Sequence, residues 1–223
     1  MGLKVEHVNK TYGTKKVVNN ISFEIDKPSV YGLLGTNGAG KTTTIRMILG
    51  ILKKDSGEIS WNGKEVKRKN VNFGYLPEER GVYPKTKIYD QMMYFAELKG
   101  MKKEKAIEAL NYWAKRLEVE QYINMTPEKL SKGNQQKIQF ITSIIHNPEL
   151  VVLDEPFSGL DPVNTEILKS VIIELIKNGK YIIMSSHQMH SIEEFCSDVL
   201  ILNKGETVPV SYTHLRAHET DQY

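Results

Sequence analysis

The chain has 223 residues, enough for one large domain or two small ones around a sizeable core. Apolar residues make up 40% and charged ones 26%, and 30 basic against 27 acidic side chains leave a net charge of +3, too weak a bias to point to nucleic acid. A single cysteine, Cys196, excludes an internal disulfide framework, no apolar run reaches the roughly 20 residues of a membrane-spanning helix, and the N-terminal stretch lacks the apolar centre of a secretion signal.

In chain order, "LKVEHV" and "VVNNISFEI" read as strands, rich in β-branched residues and bounded by "TYGTKK" and "DKP". "SVYGLL" predicts a third strand, and the helix after the following glycine-rich loop should end near Gly50. "GEISWNG" and "VNFGYLP" read as short strands on either side of the basic stretch "KEVKRKN". That stretch carries Lys64, Lys67, Arg68 and Lys69 and reads as a solvated edge rather than a nucleic-acid site. From Ile88 to Leu117 the spacing of Met92, Phe95, Ala96, Ala106, Leu110, Trp113 and Leu117 is helical. Another helix is expected near Gly133, with Ile138, Ile141 and Ile145 on one face. "LVVLDEP" and "YIIMSSH" are apolar strands separated by the helical "PVNTEILKSVIIELIKNG". Strand–helix–strand order with strands apolar on both faces predicts an α/β fold, its parallel sheet flanked by helices, with Ile88–Leu117 in an inserted helical region.

"GTNGAGKT", Gly35 to Thr42, lies between a strand and a helix and matches the phosphate-binding loop pattern. Amides of Gly35, Thr36, Asn37, Gly38, Ala39, Gly40 and Thr43, with the start of the helix, would form a nest for phosphate oxygens. Lys41 supplies a cation for the terminal phosphates, and the Thr42 hydroxyl can ligate Mg²⁺. Asp154 ends the strand "LVVLD", where ligands collect in parallel sheets, and would hold the metal directly or through water. Glu155 is placed to polarise the water that attacks the γ-phosphate. Ser131 in "KLSKGNQQK", taken alone, is a helix N-cap.

The ordered set GTNGAGKT, LSKGN, VVLDEP, SGLD and SSH resembles the nucleotide-binding subunit of ATP-binding cassette (ABC) transporters, over nearly the whole chain to about residue 205. The resemblance implies a P-loop NTPase fold with an N-terminal antiparallel β region and an inserted helical subdomain at about 86–145. It implies ATP and Mg²⁺ as ligands and two subunits facing head to tail. Ser131 and Gly133 would then touch the γ-phosphate of ATP held by the second subunit, either a copy of this chain or a paired cassette, and His187 would hydrogen-bond the γ-phosphate in its own. Tyr12 matches the aromatic that stacks on adenine, and Ser158 to Asp161 looks like the loop that signals across the dimer.

Three departures stand out. The signature reads LSKGN rather than LSGGQ, keeping Ser131 and Gly133. Glu78 stands where the family usually has glutamine, and either ligates Mg²⁺ or acts on it through water. The chain is also expected to stop after the last core strand, so that accessory C-terminal elements would be missing. The resemblance implies an ATPase subunit at the cytoplasmic face of a membrane, driving transmembrane permease subunits. "YLPEERGVYP" resembles the drug-, sodium- and antibiotic-export branch, with membrane partners of the ABC-2 type. The rival reading is a non-transport ATPase of translation or DNA repair. The ATPase domain is expected over 1–207. "VSYTHLRAHET", within 208–223, resembles translated adapter read-through, the alternative being a disordered extension; His214 and His218 are given no metal role.

Overall fold

The computed structural model describes residues 2–67, 71–79, 81–188 and 196–208. Strands β1 (Leu3–Tyr12), β2 (Lys15–Ile25), β4 (Ser56–Trp61) and β5 (Lys64–Glu65) form an antiparallel sheet in the order β2-β1-β4-β5. A second sheet joins β3 (Val30–Leu34), β6 (Phe73–Leu76), β7 (Leu150–Asp154), β8 (Tyr181–Ser186), β9 (Asp198–Asn203) and β10 (Glu206–Val208). Its order is β10-β9-β3-β8-β7-β6, parallel throughout except for the β9–β10 hairpin. The helices are α1 (Lys41–Ile48), α2 (Ile88–Leu98), α3 (Lys103–Arg116), α4 (Lys132–Ile144) and α5 (Pro162–Lys177).

The period-2 geometry of the parallel strands divides the core in two. Val30 and Leu34 of β3, Val151 and Leu153 of β7, and Ile182 and Met184 of β8 pack on one face with α2, α3, α4 and α5. Tyr31 and Leu33, Leu150 and Val152, and Ile183 point the other way, against α1 and the antiparallel sheet. The inserted helices therefore share one apolar cluster with a sheet face.

Local chemistry explains where the elements differ from the sequence reading. The strand expected over "LKVEHV" continues to Tyr12, because register shifts after Val5 and Val8 let the polar residues keep pairing with β2. The helical run from Ile88 breaks at Gly100, whose φ of +80° ends α2 in a left-handed cap. Strand β10 reaches Val208, one residue past the expected domain end. Arg68 and Lys69 of the basic stretch, and all of 209–223 with His214 and His218, lie outside the described residues. Among the described residues no helix is long and apolar enough to cross a membrane.

Parallel pairing puts the strands' carboxyl ends side by side. Leu34 pairs with Ser186, Asp154 with Ser185, and Leu76 with Leu153. The loops that follow these four strands contain Gly35, His187, Glu155 and Glu78, so one sheet edge collects chemistry from four distant stretches of sequence.

Candidate functional site

The loop after β3 is built by what glycine permits. Gly40 has φ +105°, and a Cβ there would lie 2.7 Å from the Val17 carbonyl oxygen. At Gly35 a Cβ would collide with the carbonyl of Leu202. The loop is braced from outside: the Gly205 amide donates to the Ala39 carbonyl at 3.0 Å, and the Asn19 amide donates to the Gly205 carbonyl at 2.7 Å. Helix α1 starts without a side-chain cap, so its first amides are left for a ligand. The result is a hollow of about 310 Å³ lined by residues 36–43, Val17 and Glu78.

Lys41 is 7% exposed and its ammonium donates to the Gly35 carbonyl at 2.5 Å. The same Nζ lies 3.6 Å from Oε1 of Glu155, also 7% exposed. The other carboxylate oxygen of Glu155 sits 3.0 Å from Nδ1 of His187. Glu155 is held in a left-handed conformation with φ +52°, its amide donating to the Ser185 hydroxyl at 3.1 Å and leaning on the Ser185 carbonyl at 3.3 Å. Asp154 is buried; Thr42 Oγ1 donates to its Oδ2 at 3.0 Å, and the Ser185 hydroxyl donates to its Oδ1. A carboxylate and a hydroxyl oxygen at this separation suit a hard divalent cation.

A second hollow of about 280 Å³ adjoins Thr42 and Asp154 and is lined by Arg46, Tyr75, Pro77, Glu78, Glu79 and Gly81. Burial and the negative charge of Asp154 push the Tyr75 hydroxyl above its ordinary range, opposed by the Arg46 guanidinium beside it. A third, of about 270 Å³, is lined by Glu155 to Leu160 and Ser186 to Gln188.

The structure thus brings Gly35 to Thr43, Glu78, Asp154, Glu155 and His187 to one edge. Three other expected residues do not line the phosphate-loop hollow. Tyr12, 51% exposed at the end of β1, has the Lys10 ammonium 5.5 Å from its ring centre. Ser131 is exposed and caps α4, accepting from the Asn134 amide at 3.3 Å. Gly133 packs near Asn164 and Leu160, where an added Cβ would make only ordinary contacts at 3.4 and 3.5 Å. Sequence reasoning passed over Ser185, which anchors Asp154, and Gln136 and Gln139, which bond to loops at this edge. The available signal was a polar residue inside an apolar run, as in "KIQFI".

A phosphate loop between a parallel strand and a helix, with acids from two neighbouring strand ends, defines a P-loop nucleotide-binding protein of the NTPase class. Residues 18–158 match the family described as ABC transporter. The uncharacterized ABC transporter ATP-binding protein YhaQ of Bacillus subtilis is 53% identical over 207 residues, covering 92% of this chain and 70% of that protein. The linearmycin resistance ATP-binding protein LnrL of the same organism is 33% identical over 216 residues, covering 93% and 68%. A solved ATP-binding subunit of an ABC transporter superposes with a TM-score of 0.85 at 28% identity, covering 93% of this chain and 88% of that one. The chain belongs to the ABC transporter family, as an ATP-binding subunit.

Proposed function

We propose that this chain hydrolyses ATP to drive export through a separate membrane protein, and that two copies close on the nucleotide to do so. The observation that carries the reading is the chain Lys41–Glu155–His187 beside the phosphate loop, its first two members buried and His187 exposed. It supports the reading because a lysine ammonium and a carboxylate in one network suit, in that order, a terminal phosphate and an attacking water.

In this reading the loop amides of residues 36–43 and the start of α1 bind the triphosphate, and Lys41 leaves its carbonyl partner to reach the terminal phosphates. Tyr12 offers its exposed ring to the adenine. Thr42 and Asp154 would hold Mg²⁺, with Glu78 acting directly or through water. When bound, the ion supplies Lewis-acid stabilisation of charge on the phosphate oxygens. Glu155 accepts the proton of the attacking water, and His187, held against it, donates a hydrogen bond to the γ-phosphate.

Ser131 and Gly133 act on the nucleotide of the second copy. Two observations support this. Neither lines the phosphate-loop hollow of its own chain, and among the described residues no neighbour comes close enough to demand glycine at 133. Closure therefore needs ATP, because it joins groups from both copies, and hydrolysis releases it through charge repulsion. The likeness to LnrL, a linearmycin resistance protein by name, supports the export branch. Subunits would sit at the cytoplasmic face of the membrane, bound to permease helices.

The test is to look for a membrane protein in the adjacent reading frame and to reconstitute this chain with it. Mg·ATP-dependent movement of a substrate out of the cytoplasmic compartment supports the reading. ATP hydrolysis indifferent to any membrane partner would favour a non-transport ATPase instead.

A further inference from the structure

Helix α4 presents two buried carboxamides, at Gln136 and Gln139, one helical turn apart on the same face. Gln136 Nε2 donates to the Pro156 carbonyl at 3.1 Å. Gln139 Nε2 donates to the Glu79 carbonyl at 3.0 Å and to the Pro77 carbonyl at 3.4 Å. Pro156 follows Glu155, while Pro77 and Glu79 flank Glu78. One helix thus grips the backbone next to two of the site's three acids, Glu155 and Glu78.

The grip of Gln139 is the more informative. Both carbonyls beside Glu78 are turned onto α4, and Glu78 itself lines the two hollows that contain Thr42. The side chain is only 4% exposed, and among the described residues its Oε1 finds no hydrogen-bond partner. An unpaired buried acceptor is destabilising, a cost that a leucine or methionine at the same place would avoid. Simple filling of the helix–loop contact does not explain an amide here, whereas two directed donors do.

We propose that Gln139 is a positioning residue for Glu78: it ties the loop 77–79 to α4, so that Glu78 and the Ser131–Gly133 end of the same helix move as one body. A contact made by Ser131 with nucleotide on a second copy then alters where Glu78 stands in this copy's site. The inference rests on the reading of Glu78 as a group of the Mg·ATP site.

The test uses the full chain carrying Gln139→Met, which keeps volume and loses both donors, and Gln139→Asn, which keeps the amide but is one methylene short. Hydrogen exchange in the nucleotide-free protein should rise about tenfold in the peptide covering 77–83, with that of the α4 core unchanged. Binding of a fluorescent ATP analogue without Mg²⁺ should be unaffected. The Mg²⁺ concentration for half-maximal tightening should rise about tenfold, and kcat should fall by a similar factor with little change in KM. Adding Glu78→Ala to Gln139→Met should cost little more than either change alone. Wild-type exchange and Mg²⁺ dependence in both variants would overturn the inference, as would additive losses in the double variant. If the methionine protein does not fold, the asparagine protein carries the test. A lone Glu78→Ala protein with wild-type Mg²⁺ dependence would instead overturn the reading of Glu78, and the inference with it.

Discussion

The Lys41–Glu155 pair makes an asymmetric prediction. At 3.6 Å the gross attraction is about 4–5 kcal/mol with an effective dielectric near 20. Removing both charges from water costs several kcal/mol per ion, so the intact pair should contribute little net stability. The two partners are not equally dependent on each other, however. Without Glu155, Lys41 still donates to the Gly35 carbonyl and lies 3.5 Å from that of Thr36. Without Lys41, Glu155 Oε1 is buried with no hydrogen-bond partner among the described residues. Lys41→Met leaves Glu155 held by His187 alone, 3.0 Å away, with Oε1 unsatisfied, and should therefore destabilise the nucleotide-free protein by about 2–3 kcal/mol, the cost of one buried charged acceptor without a partner. Glu155→Gln should cost about 1 kcal/mol or less, and the double variant should resemble Glu155→Gln rather than the sum. Urea unfolding of the four proteins without nucleotide measures this directly. In the same proteins Glu155→Gln should keep ATP binding and slow hydrolysis by roughly 10²–10⁴, whereas Lys41→Met should lose binding. Equal destabilisation by the two single changes, or additive losses in the double, would refute the reasoning.

Other consequences follow from buried groups elsewhere. Gly133→Ala should raise stability by roughly 0.5–1 kcal/mol, since the site is helical and an added Cβ meets only ordinary contacts, yet it should weaken ATP-dependent pairing; denaturation and light scattering separate the two effects. His146 donates from Nε2 to the Phe73 carbonyl at 3.0 Å; burial pushes it down to about 4, with Lys99 and Lys180 adding to the effect. The unfolded chain takes up a proton near pH 6.5 that the folded chain refuses until about 4, so stability present above pH 6.5 is lost as pH falls through that window. The loss should be roughly 2 kcal/mol between pH 7.5 and 5, and His146→Asn should remove that slope. A wild-type stability flat over this range would contradict it.

Much of the architecture could be read from local pattern. The apolar strands "VVLD" and "YIIMSS" predict a parallel sheet because both faces are covered, and the two clusters on either side of β7 and β8 show why. Gly35 and Gly40 were legible because close backbone approach leaves no other residue type, and Asp154 because strand ends in such sheets point at ligands. Tertiary bonds were not legible. Ser185 holds Asp154 and Glu155 across the β7–β8 pairing, and its partner in sequence order lies 31 residues away. Gln139 reaches a loop 60 residues earlier, so its polarity in the run "KIQFI" has no local meaning. The break at Gly100 was hidden by apolar spacing that keeps its helical period across the turn.

The central claim is that triphosphate bound to the loop amides of one copy is capped by Ser131 and Gly133 of another. Mass measured by light scattering on the Glu155→Gln protein, with and without Mg·ATP, tests it most directly. A single subunit is expected without nucleotide, a doubled mass with Mg·ATP, and a return to the single subunit when Ser131→Arg is added. A mass that never changes with nucleotide, or a dimer that forms equally well without it, would contradict the claim.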